Sequence, residues 1–412
     1  MGLRSSVARH ATRRVHVLVL EVPGWGETRM RVEAELARRG WAPATSPADA
    51  DVLLVCGAPG EELESVCARL WSQLPGPRVR AAVISASDVA STLERAAEEL
   101  LDEGRQQSDA RTRSRQPAKP RDETAHTQHA AHGSSGESTE HNVDMHVDMK
   151  MDTDMDTDTD MDMDMDMDMP MPGGIPLANG GPDRDGLEMD VLHVPLGPVL
   201  PHWPAGLVVR CVLQGDVIVN AEAEVLSAAA QPSGDGPVGG DSRRLADDER
   251  RLAVIRRSDA AVQVLALAGW SFAAGRARRI RDAVASGTAL VDAAADLDKL
   301  AQSVGRSWAL RWTLKGITVG DALADAQNGM EQSGSETVRG RLVGWLDEAR
   351  RIARDDKAEG AYELPDNMAL QRSLLSEIPR LLNGTNVATA RLIVAGLAIE
   401  TTHDTQTPKP HT

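Results

Sequence analysis

Aromatic residues, cysteines and long apolar runs are all scarce in this 412-residue sequence. Aromatic side chains make up 2% of it, as eight Trp, one Tyr and one Phe. Three cysteines are too few for a disulfide framework and indicate a reducing compartment. The apolar run at 15–20 is too short for a signal-peptide core, and no stretch approaches the ~20 apolar residues of a membrane-spanning helix. We therefore expect a cytoplasmic protein without a membrane span.

Basic residues are fewer than acidic ones, and most of the difference lies in one short segment. The net charge is −17, and residues 141–172 contain eleven Asp and one Lys, which accounts for −10 of it. The remaining −7 is ordinary for a soluble protein. Because nucleic-acid binding needs a basic face, we expect no nucleic-acid partner.

Residues 104–182 lack the apolar periodicity of a folded segment. Within them, Met and Asp alternate along most of 144–171. A strand with this pattern would hold a ladder of carboxylates ~7 Å apart, so repulsion favours an extended, solvated chain. We predict a long disordered linker. The alternative is weak metal binding that begins at Met145, His146 and Met149, although the tract mixes hard and soft donors without a scaffold.

The chain before this linker, 12–103, alternates predicted strands and helices. Short β-branched runs predict buried strands at 15–20, 50–57 and 79–85, and periodic segments predict helices at 28–39, 59–73 and 88–101. This order predicts a small, doubly wound α/β domain. Gly24 and Gly26 lie in the first loop, where nucleotide folds bind phosphate, but the third glycine of that fingerprint is missing. A plain loop is the favoured interpretation.

Two stretches of this domain carry a family resemblance. The sequence SPADADVLLVCG at 46–57, followed by LPGPR at 74–78, resembles the small iron–sulfur subunit of respiratory complex I. The resemblance implies cluster cysteines near Pro23 and Ser87, where this chain has none. Cys56 and Cys67 lie eleven positions apart and do not form the clustered pairs of an iron–sulfur or zinc site. We expect them to act as small apolar core residues.

Prolines at intervals of three mark the start of the C-terminal part, 183–400. Pro195, Pro198, Pro201 and Pro204 forbid helix and stiffen an extended segment. Two β-branched runs on either side of the Gln214-Gly215-Asp216 turn complete a predicted β-hairpin region at 190–226. Periodic apolar residues over 244–400 predict a mainly helical bundle. The whole chain is therefore expected to combine an α/β domain, a linker and an α+β domain.

The hairpin region resembles the start of the large, hydrogenase-like subunit of complex I. The residues that match are Gly197, Pro198, Pro201, Gly206 and Gly215. In that family two histidines of this loop face the quinone head group. Leu200 stands where the first is expected, and His202 lies close to the second position but is displaced. The resemblance therefore implies a vestigial quinone site.

Two groups of side chains in the helical part invite a functional interpretation. Arg276, Arg278, Arg279 and Arg281 could bind an anion or partner, but ion pairs with Asp282 and nearby acids are favoured. Trp308 and Trp312, flanked by Arg306 and Arg311, are interpreted as packing anchors.

Together the resemblances imply a fusion of two degenerate complex I modules. We expect a non-catalytic accessory or assembly subunit without a cofactor, docked at the inner face of the cell membrane on membrane-bound complex-I-like subunits. The first alternative is a redox-active oxidoreductase subunit that uses a partner's cluster and quinone site. The second is a metal-binding protein that acts through the Met/Asp tract.

Overall fold

The computed structural model describes residues 14–115, 179–182, 188–229, 242–320, 337–354 and 368–401. The Met/Asp tract, with Met145, His146 and Met149, lies outside the described residues. Contacts divide the chain into one unit of residues 1–112 and 178–412 and a second unit of residues 113–177. Below, the N-terminal half means residues 14–112 and the C-terminal half means residues 179–401.

The protein is mixed α/β with a mainly helical C-terminal region. The strands are β1 (His16–Glu21), β2 (Ala42–Pro43), β3 (Val52–Cys56), β4 (Val79–Val83), β5 (Asn179–Pro182), β6 (Glu188–Leu196), β7 (Leu207–Gln214) and β8 (Val217–Val225). The helices are α1 (Gly26–Arg39), α2 (Glu61–Gln73), α3 (Val89–Leu101), α4 (Glu103–Arg115), α5 (Ser242–Leu267), α6 (Ser271–Ala285), α7 (Leu290–Arg306), α8 (Trp308–Thr313), α9 (Val338–Arg354), α10 (Met368–Leu382) and α11 (Val387–Leu397).

The N-terminal half is built on a parallel sheet with strand order β2-β1-β3-β4. The central strand β3 is short and buried on both faces, so its sequence is a continuous apolar run, Val52–Cys56. One face packs against α1 and α3 through residues such as Leu36 and Leu93, and the other packs against α2 through Leu63 and Cys67. Helices therefore cover both faces of the sheet.

The C-terminal half begins with an antiparallel sheet of order β5-β6-β7-β8. The proline-containing segment contributes β6, which pairs with β7 and places Pro195 opposite Arg210. β5 pairs with β6 only as far as Val191, so Pro195 adjoins no strand on its other side among the described residues. A proline that cannot donate to a ladder is tolerated there.

A helical core covers one face of this antiparallel sheet. Leu207, Val209 and Cys211 alternate along β7 and pack into the same apolar cluster as residues of α5 to α11. Helices α5 to α11 lie in the region predicted as a mainly helical bundle, 244–400, and α5 begins two residues before it. None of the described helices is long and apolar enough to cross a membrane.

The predicted start of the linker is wrong. Residues 103–115 form helix α4 instead of a disordered segment. Arg78 holds this helix: its guanidinium makes two hydrogen bonds to the Asp109 carboxylate, both 3.0 Å long, and lies over the ring of Trp71. β5 likewise lies inside the predicted linker. Because α4 is polar and is held by a contact with a distant arginine, its sequence has no apolar periodicity from which a helix could be predicted.

Candidate functional site

The N-terminal and C-terminal halves share an apolar cluster at the end of β1. Val208 and Leu226 of the second sheet pack with Leu20, Val22 and Leu63. Backbone groups also join the halves: the Gly60 amide donates to the Ser227 carbonyl at 3.1 Å, and the Gly24 amide donates to the Thr401 carbonyl at 2.8 Å. The second contact occupies an amide that a phosphate loop would need, which supports the plain-loop interpretation of Gly24.

The proline-braced loop, residues 197–206, is fixed between the halves by glycines that have no room for a side chain. Gly197 has φ +90°, and a Cβ there would lie 2.1 Å from the Leu207 carbonyl oxygen. Gly206 has φ +67°, and its Cβ would lie 2.7 Å from Cγ of Pro23 in the N-terminal half. Both positions therefore require glycine. Gly215, with φ +60°, forms the β7–β8 turn and lies outside this contact.

This loop closes one side of a cavity of about 240 Å³. The apolar wall combines β1 and α1 with the loop, through residues such as Val19, Leu36 and Leu200. Pro198, Pro201 and His202 also line the cavity, so the structure brings together four of the loop residues singled out in the sequence. Charged and polar side chains also line the cavity: Glu21, Arg29, Glu33, Thr45, Asp259, Gln263 and Arg278.

Arg29, on α1, is the centre of the polar lining. Its Nε lies 2.8 Å from the Glu21 carboxylate, its Nη1 lies 2.6 Å from that of Glu33, and its Nη2 lies 2.7 Å from that of Asp259. Glu21 ends β1, Glu33 is one turn further along α1, and Asp259 belongs to α5. One guanidinium thus uses all three of its nitrogens to join three carboxylates from both halves of the chain.

Arg281, on α6, forms the second centre and is fully buried. Its Nη1 lies 2.5 Å from Asp259 and 2.9 Å from Glu33, and its Nη2 lies 2.8 Å from Asp282. Arg278 approaches Glu33 at 3.7 Å. We call the set the ionic cluster; its members are Glu21, Arg29, Glu33, Asp259, Arg278, Arg281 and Asp282. The predicted ion pair of Arg281 with Asp282 is confirmed, and Glu33 and Asp259 extend it.

Burial and pairing act in opposite directions on these carboxyl groups. Burial would raise the pKa of Glu33, but Arg29 and Arg281 outweigh it and hold that pKa well below its usual range. The same two guanidiniums overcome burial and lower the pKa of Asp259. For Glu21 and Asp282 burial prevails and the pKa is raised. Glu21 and Asp282 therefore bind a proton more readily than ordinary carboxyl groups do.

His202 occupies the cavity wall in an unusual backbone conformation, with φ +59°. A positive φ in a residue other than glycine is uncommon and marks a position that its surroundings hold in place. The carbonyl of its neighbour Pro201 accepts a hydrogen bond from Arg391 at 2.7 Å, which ties the loop to α11. Burial lowers the pKa of His202. The imidazole is therefore neutral near pH 7 and can both donate and accept a hydrogen bond in the cavity.

The cavity can hold a small molecule with an apolar body and a polar end. Its volume of about 240 Å³ lies just below the usual range of ligand pockets, so only a small molecule fits. Among the described residues, no group of three or more His, Cys, Asp or Glu side chains is arranged to hold a metal ion. Arg29 and Arg281 already bind carboxylates of the ionic cluster, and the Gln263 amide donates a hydrogen bond to Asp259 at 3.2 Å. The lining groups left for a ligand are those of Thr45, His202 and Arg278, which lies 3.7 Å from Glu33, together with the side-chain carbonyl of Gln263.

The cysteines lie in three separate apolar clusters of the described chain: Cys56 against α1 and α3, Cys67 near Val208, and Cys211 in the helical core. All three are buried free thiols. Burial raises the pKa of Cys67 and of Cys211 to about 11, and that of Cys56 further. Thiols held in this protonated state behave as small apolar groups.

Sequence reasoning missed Glu21, Arg29, Glu33, Asp259 and Gln263. Two weak signals were present. Glu21 follows a buried strand at the sheet edge where α/β sites form, and Asp259 interrupts an apolar stretch of α5. Neither signal identifies Arg29 as the shared partner, because its carboxylates lie up to 230 positions away in the sequence.

Comparison of the chain with family models, with curated proteins and with solved structures found no match.

Proposed function

We propose that this chain is an accessory or assembly subunit of a membrane-bound, proton-translocating complex of the complex I type, and that it does not carry out the redox step. The observation that supports this proposal most is the contact of the proline-braced loop with β1 and α1. The resemblance implies that the large-subunit loop lies beside the small subunit, and here residues 197–206 lie against the N-terminal half.

The side chains of that contact favour a structural role over a redox role. Leu200 cannot donate a hydrogen bond to a quinone carbonyl, and it packs against the helical core instead. The buried cysteines are dispersed over three clusters, whereas a typical iron–sulfur cluster takes four thiolates. The ionic cluster joins the halves, and each of the three guanidinium nitrogens of Arg29 already contacts a carboxylate and is not open to substrate. A chain whose two modules are fixed against each other is suited to position partner subunits.

The test is purification of the tagged full-length chain from mildly solubilised native membranes, followed by native gel electrophoresis. The proposal expects the chain in one large assembly with membrane subunits, and loss of that assembly on deletion of the chain. Iron and acid-labile sulfide should stay below one atom per chain in the anaerobically purified protein. A chain that migrates alone, or that carries a cluster lost on Cys56→Ser, contradicts the proposal.

The cavity supports a second candidate, a redox-active subunit that binds a quinone head group and receives electrons from a partner's cluster. His202 and Gln263 would be its hydrogen-bonding groups, and Leu200 and Val262 would contact the ring. This candidate expects quinone reduction by the assembled complex to fall with His202→Ala while the assembly stays intact. The first proposal expects unchanged turnover, and it expects no new quinone reductase activity from Leu200→His.

A further inference from the structure

Helix α8 presents two tryptophans to solvent, although their sequence spacing was interpreted as packing anchors. Trp308 is 78% exposed and Trp312 is 75% exposed. The prediction is wrong because Leu310 and Leu314, on the opposite side of the helix, supply the anchor and are almost fully buried. The Ser307 hydroxyl accepts a hydrogen bond from the Leu310 amide at 3.2 Å and fixes the start of the helix. Positions four apart share a face, so the two indoles lie side by side.

The surroundings of the two indoles are basic. From 299 to 320 the sequence contains Lys299, Arg306, Arg311 and Lys315 and no acidic residue, in a chain whose net charge is −17. Arg306, Arg311 and Lys315 are exposed. Within the described part of the chain these three form no ion pair, while Lys299 pairs with Asp296 at 3.3 Å. Two exposed indoles and three exposed basic side chains thus come from one stretch of ten residues, which we call the Trp/Arg surface: Arg306, Trp308, Arg311, Trp312 and Lys315.

This combination matches the chemistry of one kind of partner. Tryptophan is enriched at the boundary between lipid tails and headgroups, because its ring is apolar and its N–H is polar. Lysine and arginine next to it attract anionic lipid headgroups. A protein partner that bound only the apolar indoles would not explain why every charged residue in 299–320 is basic. The local charge is opposite to that of the whole chain and complements an anionic bilayer surface.

We propose that the Trp/Arg surface binds directly to anionic lipid bilayers, with both indoles inserted at headgroup depth. The contact is peripheral, since α8 has only six residues and is too short to cross a bilayer. The proposal concerns lipid and not protein subunits, so it goes beyond the proposed function and can fail or hold independently of it.

The test is co-sedimentation of the full-length protein with vesicles that contain no protein. Vesicles of phosphatidylcholine with about one-third phosphatidylglycerol should bind the chain, and pure phosphatidylcholine vesicles should bind it far less. Trp308→Ala with Trp312→Ala should lower the partition coefficient about tenfold. Arg311→Gln should lower it about fivefold, and raised salt should weaken binding of the unmodified chain.

The matched control is Ile84→Ala, which removes another exposed apolar side chain from the N-terminal half and should leave binding unchanged. Equal binding to both vesicle types, or full binding by the double tryptophan variant, overturns the proposal. Light scattering without vesicles gives the other decisive outcome. A dimer that the double variant abolishes would assign the Trp/Arg surface to a second copy of the chain and also overturn the proposal.

Discussion

At the scale of single residues, the buried charges of the ionic cluster decide how the two halves of the chain fit together. Arg29 contacts a strand end, its own helix and α5 with one side chain. Such a buried network adds little to stability when it is complete, because desolvation offsets the attraction. Breaking it is costly, since the remaining charges stay buried without partners. We therefore infer that the main role of the cluster is to specify how the two halves pack.

Arg29→Met should destabilise the protein strongly. The change leaves Glu21, Glu33 and Asp259 short of a partner, and loss of one member of a buried pair costs about 3–5 kcal/mol. Arg31→Met is the matched control, because Arg31 is on the same helix and, among the described residues, its one ion pair is with the exposed Glu27. Its effect should stay within about 1 kcal/mol. Urea unfolding of both variants measures the difference, and equal midpoints would refute a central role for Arg29.

Acid should weaken the cluster. The pKa values of Glu33 and Asp259 are lowered in the folded protein, so the folded state binds fewer protons than the unfolded state. Their contribution is fully present above pH 4.5, the ordinary value for glutamate, and is lost as the pH falls below it. The raised pKa of Glu21 acts in the opposite sense and offsets part of this loss.

Glu33→Gln should therefore flatten the pH dependence of unfolding. Between about pH 5 and pH 3 the variant should lose less stability than the unmodified protein, although it starts from a lower value. Glu27→Gln, with its exposed side chain, should keep the full slope. Unfolding free energies measured by urea titration at each pH give the three slopes. An unchanged slope in Glu33→Gln would show that Glu33 does not titrate as its contacts require.

At the scale of elements, the sequence predicted helices and strands better than it predicted the contacts between them. Apolar periodicity located the long helices from α5 to α11 because each buries one face. The same reasoning failed for α4, which is polar and held by Arg78. It also failed for the two indoles of α8, since periodicity identifies which residues share a face but not which face is buried. The resemblance singled out Gly197 and Gly206, but the close approach of Pro23 to Gly206 depends on tertiary contact and could not be predicted.

Gly206→Val should destabilise the protein and loosen the contact between the halves. A β-branched side chain at φ +67° is strained, and its Cβ would lie 2.7 Å from Pro23. Gly269→Val is the matched control, because Gly269 has φ +79° but open space around it. Backbone strain alone should cost each variant about 1–3 kcal/mol, and crowding should add roughly 1–3 kcal/mol to Gly206→Val alone. If thermal unfolding shows the same loss of stability in both variants, Pro23 moves aside at no cost and the crowding argument is wrong.

At the scale of the whole molecule, the two halves form one unit although about seventy residues separate them in the sequence. They share an apolar cluster, the ionic cluster and the cavity between them. The sequence predicted two modules and a linker, and the resemblance implied that the modules touch. It could not predict which side chains join them, because Glu33, Asp259 and Arg281 come from helices far apart in the chain.

Limited proteolysis should reveal the revised boundary of the linker. The composition of 116–178 predicts a segment that cannot bury enough apolar surface to fold, so first cleavage should fall there. Helix α4 should resist, because Arg78 and Gln106 hold it to the sheet. Mass spectrometry of the first fragments gives the cut sites. First cuts within 104–112 would mean that α4 is not held in solution.

The most direct test of the account is to cut the linker after folding and ask whether the halves separate. A specific protease site placed within 130–140 of the full-length chain allows complete cleavage of the native protein, followed by size-exclusion chromatography with light scattering. The account predicts that both fragments elute together at the mass of the intact chain, and that Arg29→Met or Gly206→Val weakens the complex. Fragments of the unmodified protein that elute separately would contradict it.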